Sequence, residues 1–243
     1  MRNLFILILL LITVSFSQAQ LVNNLTITGT IQNTESSWVY LSELGGSQMI
    51  VVDSAMISEN QSFLISVNIE KTNFFQLSNG GQQYTILILE PNQKIELALD
   101  AKNMLQPSKV AGSPMSIQVY DMLNKMNAFD TQQKGLEQEY QKWVGTAQQD
   151  SIGKVLAAQF ENINQQRMAY LISEINNSPS LASMLFIDKV NIDENFAVYV
   201  NLDKVLYAKY PDNAFIVDLH GKVQSKMRLA PGQEAPEINL PSP

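Results

Sequence analysis

The sequence predicts an α+β protein: an N-terminal antiparallel β-sandwich over residues 20–112, followed by a helical region over residues 113–230. Two observations carry this reading. Up to Gly112, short runs alternate apolar and polar residues and are separated by turn formers, the period of half-buried strands. After Gly112 the apolar residues recur every three or four positions, which marks one face of a helix.

The chain opens with a secretory leader at residues 1–19. Arg2 supplies a positive start, Leu4 to Val14 is almost unbroken apolar sequence, and Ser17-Gln18-Ala19 is a small-x-small cleavage site. The apolar run is shorter than the roughly 20 residues a bilayer-spanning helix needs. No second run of this kind follows, so no membrane span is expected after cleavage. The first strand is Leu25-Thr26-Ile27-Thr28-Gly29-Thr30-Ile31, with Trp38-Val39-Tyr40-Leu41 next. Ile50 to Met56, Phe63 to Val67, Phe74 to Leu77, Tyr84 to Leu89 and Ile95 to Leu99 follow, with a short last strand at Lys109-Val110-Ala111. Gln32-Asn33-Thr34, Gly45-Gly46-Ser47, Ser58 to Gln61, Asn79-Gly80-Gly81 and Pro91-Asn92 supply the turns. Short strands at this spacing without intervening helices indicate a sandwich or open barrel.

Ser113-Pro114 then opens a helix, a capping hydroxyl followed by proline at the first helical position. Met115, Val119, Met122, Met126 and Phe129 form its apolar stripe, which Leu136, Tyr140, Trp143 and Val144 extend beyond a natural break point at Gly135. A second long helix carries Ile152, Val155, Leu156, Phe160, Ile163, Tyr170, Leu171 and Ile175 and ends near Asn177-Ser178-Pro179. Two more helices are expected, Ser180 to about Asn191 and Asp193 to Tyr210. A last one is capped by Asp212, with Phe215, Leu219, Val223 and Met227 on its buried side. Residues 231–243 read as a linker whose prolines cannot sustain a strand ladder.

Composition narrows the chemistry. The formal charge is −7, and 16% of residues are charged. Such acidity opposes binding to phosphate backbones, so nucleic acid is not an expected partner. The chain has no cysteine, which removes thiol nucleophiles, dithiol redox centres and thiolate metal sites. His220 is the only histidine and reads as an exposed structural residue, without the partners a metal site or a nucleophile–base pair needs. Asp53-Ser54 lies inside an apolar strand; with no suitable base it reads as outward-facing polar residues rather than a catalytic fragment. Asp188, Asp193, Glu194, Asp203 and Asp212 fall near helix ends, and Asp193 and Asp212 stand where caps belong. Paired carboxylates of a glycoside hydrolase are the competing reading of that set.

Met115, Met122 and Met126 lie on the apolar stripe as core residues rather than copper ligands. Gly45-Gly46 and Gly80-Gly81 are turn glycines without the helix and lysine of a phosphate loop. Asn24-Leu25-Thr26 and Asn60-Gln61-Ser62 match the glycosylation pattern, which has meaning only in a eukaryotic secretory route. No catalytic, cofactor-binding or metal residue and no cofactor is assigned.

The C-terminal run Gly232-Gln233-Glu234-Ala235-Pro236-Glu237-Ile238-Asn239-Leu240 resembles the lead-in to thioredoxin-like domains of the TlpA/ResA and peroxiredoxin type. The motifs before it stand in a matching order: Leu25 to Ile31, Val39-Tyr40-Leu41, Val51 to Ala55, Leu89 to Ile95, Ser178-Pro179-Ser180, and Tyr210 to Asn213. Over nearly the whole chain after the leader, the sequence is similar to the N-terminal region of exported bacterial thiol–disulfide oxidoreductases. That region is a domain of unknown function placed ahead of the thioredoxin fold. The resemblance implies a periplasmic or envelope location and a role as the non-catalytic accessory region. Residues 231–243 would begin a thioredoxin-like domain that does the chemistry. The implied partner is an envelope protein or the protein's own thioredoxin-like domain. A stand-alone envelope binding module is the alternative.

Overall fold

The computed structural model describes residues 23–46 and 48–229. The expected leader at 1–19 and the linker at 231–243 lie outside the described residues. Eight strands come first: β1 (Leu25–Gln32), β2 (Trp38–Gly45), β3 (Gln48–Met56), β4 (Ser62–Val67), β5 (Asn73–Ser78), β6 (Tyr84–Leu89), β7 (Lys94–Asp100) and β8 (Lys109–Ala111). They form two four-stranded sheets, ordered β4-β1-β7-β8 and β3-β2-β5-β6.

The core between the sheets follows from the alternation in the sequence. Leu25, Ile27 and Ile31 of β1, Ile65 of β4, and Ile95, Leu97 and Leu99 of β7 face Val39, Leu41, Phe75, Leu77, Leu87 and Leu89 of the other sheet. Each such side chain contributes about 1.5–3 kcal/mol when fully buried. One pairing departs from the antiparallel expectation: β1 and β7 run parallel, with Ile27 opposite Ile95 and Ile31 opposite Leu99. A parallel pair needs a long crossover, and the other sheet supplies it. Alternation has the same period in both arrangements, so it carries no sign of strand direction.

The β5–β6 half of the second sheet is buried on both faces. Its outer side turns Phe74 and Ile88 into a second core, which the helices complete. Helices α1 (Pro114–Gln141), α2 (Gln149–Asn177), α3 (Phe196–Lys209) and α4 (Ala214–Arg228) follow the sandwich. Met115, Val119, Met122, Met126 and Phe129 of α1 pack with Leu171 and Ile175 of α2, Leu202 and Leu206 of α3, and Ile216, Leu219 and Val223 of α4. The Phe215 ring meets the edge of Phe74 at 5.0 Å, fixing α4 to β5. A buried polar chain does the same: Asn213 donates to Asn73, which donates to Glu43.

Several helix expectations are corrected. Gly135 does not break α1, because a solvent-facing glycine costs only about 1 kcal/mol and the helix has strong formers on both sides. Trp143 and Val144 lie beyond its end. The segment from Ser180 to Asn191 is two short 3₁₀ turns, Leu181–Leu185 and Ile187–Lys189, and burial falls on the adjacent pairs Leu181-Ala182 and Phe186-Ile187 while Leu185 stays exposed. Helix α3 begins at Phe196, after Asn191 accepts from the main-chain N–H of Asp193 at 2.8 Å. Neither Asp193 nor Asp212 is a cap: Asn195 precedes α3 without a side-chain bond, and Asn213 caps α4 by accepting from Phe215 N–H. Met227 is exposed, and Ile216 takes a place in the buried face of α4.

Candidate interaction surface

The two edges of the β3-β2-β5-β6 sheet are treated very differently. At the β6 edge, the Ser113 hydroxyl donates to the Ile88 carbonyl at 2.6 Å, and the Ser116 hydroxyl accepts from Ile88 N–H at 2.8 Å. Tyr120 donates from its hydroxyl to the Ile86 carbonyl at 2.9 Å. Burial pushes the Tyr120 hydroxyl pKa well above the ordinary tyrosine value, with the bond to Ile86 partly opposing the shift. The first two turns of α1 therefore plug the outward main-chain groups of β6. Ser113 does this while also capping its own helix, accepting from Ser116 N–H.

At the opposite edge, among the described residues, the main chain of Gln48–Val52 bonds only to β2. The side chains there are apolar and open: Met49 is 56% exposed, and Ile50 and Val51 are each 57% exposed. Trp38, Met56 and Leu64 add exposed apolar surface on β2, β3 and the adjacent β4. Natural sheets blunt their edges with charge, proline or bulges. Here the register shift between Leu41 and Ser42 leaves Val52 unmatched, and Asp53 is the only charged residue in the strand. From Gln48 to Val52 there is neither charge nor proline. Asp53 accepts from the N–H of Ser54 at 2.8 Å, so the pair makes a local turn-like bond and forms no catalytic set.

The remaining candidates resolve as follows. His220 is not the exposed residue expected from sequence. Its Nδ1 lies 3.0 Å from both carboxylate oxygens of Asp203, which is only 5% exposed, and its ring stacks on Tyr207 at 3.8 Å. The two residues are 17 positions apart on α3 and α4, so only the helix pairing brings them together. Asp193 pairs with Lys226, and Asp218 with Lys222 at 3.0 Å. Asp188 and Asp218 line one cleft of about 260 Å³ with Leu44, Phe74, Met184 and Lys222. Both carboxylates are exposed, and Asp218 is held by the lysine. That arrangement lacks the water-shielded acid a glycosidase pair uses. Among the described residues no group of three or more histidine or acidic side chains is placed to hold a metal ion.

Met115, Met122 and Met126 are buried in the helical core. Asn24 spends its side chain on the main chain of Ile69, donating at 2.8 Å and accepting at 2.9 Å. Among the described residues no helix is long and apolar enough to cross a membrane.

No curated protein and no solved structure matches the chain. Residues 25–117 match the family model described as a domain of unknown function, DUF4369. The match spans all eight strands and stops just after Ser116, so it takes in both the open β3 edge and the two serines that plug β6.

Proposed function

We propose that this chain is the non-catalytic docking region of an exported thiol–disulfide oxidoreductase of the cell envelope. In this reading the β3 edge receives an extended polypeptide strand, from a client or from a thioredoxin-like domain that follows residue 243. One observation carries it: a single sheet has one edge plugged by hydroxyls and the other left open, apolar and uncharged over Gln48–Val52. An edge of that kind offers main-chain bonds for affinity and alternate side chains for selection. With no cysteine in the chain, any thiol chemistry would in this reading fall to another domain. The lead-in motif at Gly232 to Leu240 supports placing that domain next in sequence.

The redox link is tested on the native protein in its source cells, by intact mass before and after reduction and thiol alkylation. A species well above the mass of this chain that gains alkyl groups supports the proposal. A species slightly below that mass with no alkyl uptake contradicts the redox link and favours a stand-alone envelope module.

A further inference from the structure

Charge is distributed unevenly along the chain. From Asn23 to Glu70, the stretch that builds β1 to β4, there are five acidic residues (Glu35, Glu43, Asp53, Glu59 and Glu70) and no lysine or arginine. Three of the five gather at one end of the open β3 edge. Asp53 stands on β3 directly after the uncharged run Gln48–Val52. Glu59 follows in the turn that leaves β3, and Glu35 lies in the loop that enters β2. The Ile57 N–H donates to the Ser37 carbonyl at 2.9 Å, which ties that loop to the end of β3. Glu35 and Glu59 are exposed, and among the described residues none of the three carboxylates is in an ion pair.

The uncharged run is apolar on both faces. Met49 and Val51 sit opposite Leu44 and Ser42 on the helix side of the sheet, and Ile50 sits opposite Glu43 on the other side. All three apolar side chains are more than half exposed. A strand laid against this edge meets apolar groups above and below, so a continuous apolar run matches it better than an alternating one. Asp53 lies three residues beyond Ile50, roughly 10 Å along the strand. We propose that the strand received by β3 belongs to a separate polypeptide and is an apolar run of about five residues flanked at both ends by lysine or arginine, a step that rests on reading this edge as a docking strand. With a cation at each end, one flank meets Asp53 whichever way the incoming strand runs, and Glu35 and Glu59 lie beyond it. A second copy of this chain is a poor occupant, because its own β3 brings the same three carboxylates and no cation.

Fluorescence anisotropy of the full chain with labelled synthetic peptides tests the proposal. The peptides share one apolar core and carry either two lysines or two glutamates on each side; a further lysine-flanked peptide has proline at the centre of the core. At about 20 mM salt the lysine-flanked peptide should bind at least about tenfold tighter than the glutamate-flanked one, and the ratio should fall below about threefold at about 0.5 M. The proline peptide should bind at least about tenfold more weakly, because it loses a main-chain donor and its strand geometry. A variant combining Glu35→Gln, Asp53→Asn and Glu59→Gln should weaken the lysine-flanked peptide at least about fivefold and leave the glutamate-flanked one no weaker. Asp53→Asn keeps a side-chain oxygen for the Ser54 N–H, so the strand end is preserved. Equal binding of the two flanks, a preference untouched by the combined variant, or full binding of the proline peptide overturns this inference while the docking edge can still stand. Failure of every peptide to bind overturns the docking edge and this inference together. A wild type that dimerises in sedimentation, with the dimer lost in Val51→Lys, makes a second copy the occupant and overturns the inference as well.

Discussion

Ser116 accepts a hydrogen bond from the main-chain N–H of Ile88 at 2.8 Å, across a gap of 28 residues. That one bond joins the first turn of the helical region to the outer edge of the sandwich. It explains why β6 needs no ninth strand, and it makes the openness of β3 stand out.

Removing that acceptor should be expensive. Ile88 is fully buried, so Ser116→Ala leaves its N–H without a partner and is expected to cost about 1–3 kcal/mol. Ser113→Ala loses both a cap and the donor to Ile88 and should cost about as much. Denaturant melts of both variants against wild type measure these losses, and a loss under about 0.5 kcal/mol for Ser116→Ala would contradict the plug.

Two glycines should respond in opposite directions. At Gly112, φ is +85° and an added Cβ would sit 1.8 Å from the Lys94 carbonyl oxygen. Gly112→Ala is therefore expected to destabilise by several kcal/mol, on the order of a severe core defect. At Gly135 nothing lies within 4 Å and the backbone is helical, so Gly135→Ala should stabilise by about 0.5–1 kcal/mol. Thermal melts distinguish the two.

Alkaline stability should depend on Tyr120. Its hydroxyl pKa is raised by burial in the folded protein and is ordinary, about 10, in the unfolded chain. Above pH ~10 the unfolded state loses the proton first, so stability is full below that pH and falls as pH rises further, by up to about 1.4 kcal/mol per unit. Tyr120→Phe gives up the bond to Ile86, costing about 1 kcal/mol at neutral pH, and should flatten the alkaline decline. Urea melts from pH 8 to 11 would show both effects; an unchanged slope in Tyr120→Phe would count against the assignment.

Much of the fold is legible from local sequence because its causes are local. Leu25 to Ile31 alternates, and those apolar residues are the ones buried. Ser113-Pro114 announces a helix start that the structure keeps. What escapes has non-local causes. The parallel β1–β7 pair joins residues nearly 70 positions apart, and nothing in either strand encodes its direction. His220 and Asp203 meet only because α3 and α4 pack together, so each alone looks like a surface residue. Asp193 and Asp212 have the chemistry of caps, but the neighbouring Asn191 and Asn213 hold the positions from which N–H groups can be reached. The β3 edge was visible as an apolar strand, yet its exposure depends on its place at the end of the sheet order. Leu136 and Tyr140 continue the stripe that is buried earlier in α1, so periodicity reads them as core although they are only half-buried.

The central claim is that the outer edge of β3 is a docking strand. Amide hydrogen exchange at Gln48–Val52, read residue by residue with and without a reduced and alkylated secretory polypeptide, tests it most directly. The account predicts that the outward amides of this stretch slow at least about tenfold on adding the polypeptide, while Ile86 and Ile88 on β6 do not change. Val51→Lys, at an exposed position, should abolish the slowing with less than about 0.5 kcal/mol lost in stability. Unchanged exchange at Gln48–Val52, or slowing that persists in Val51→Lys, would contradict it.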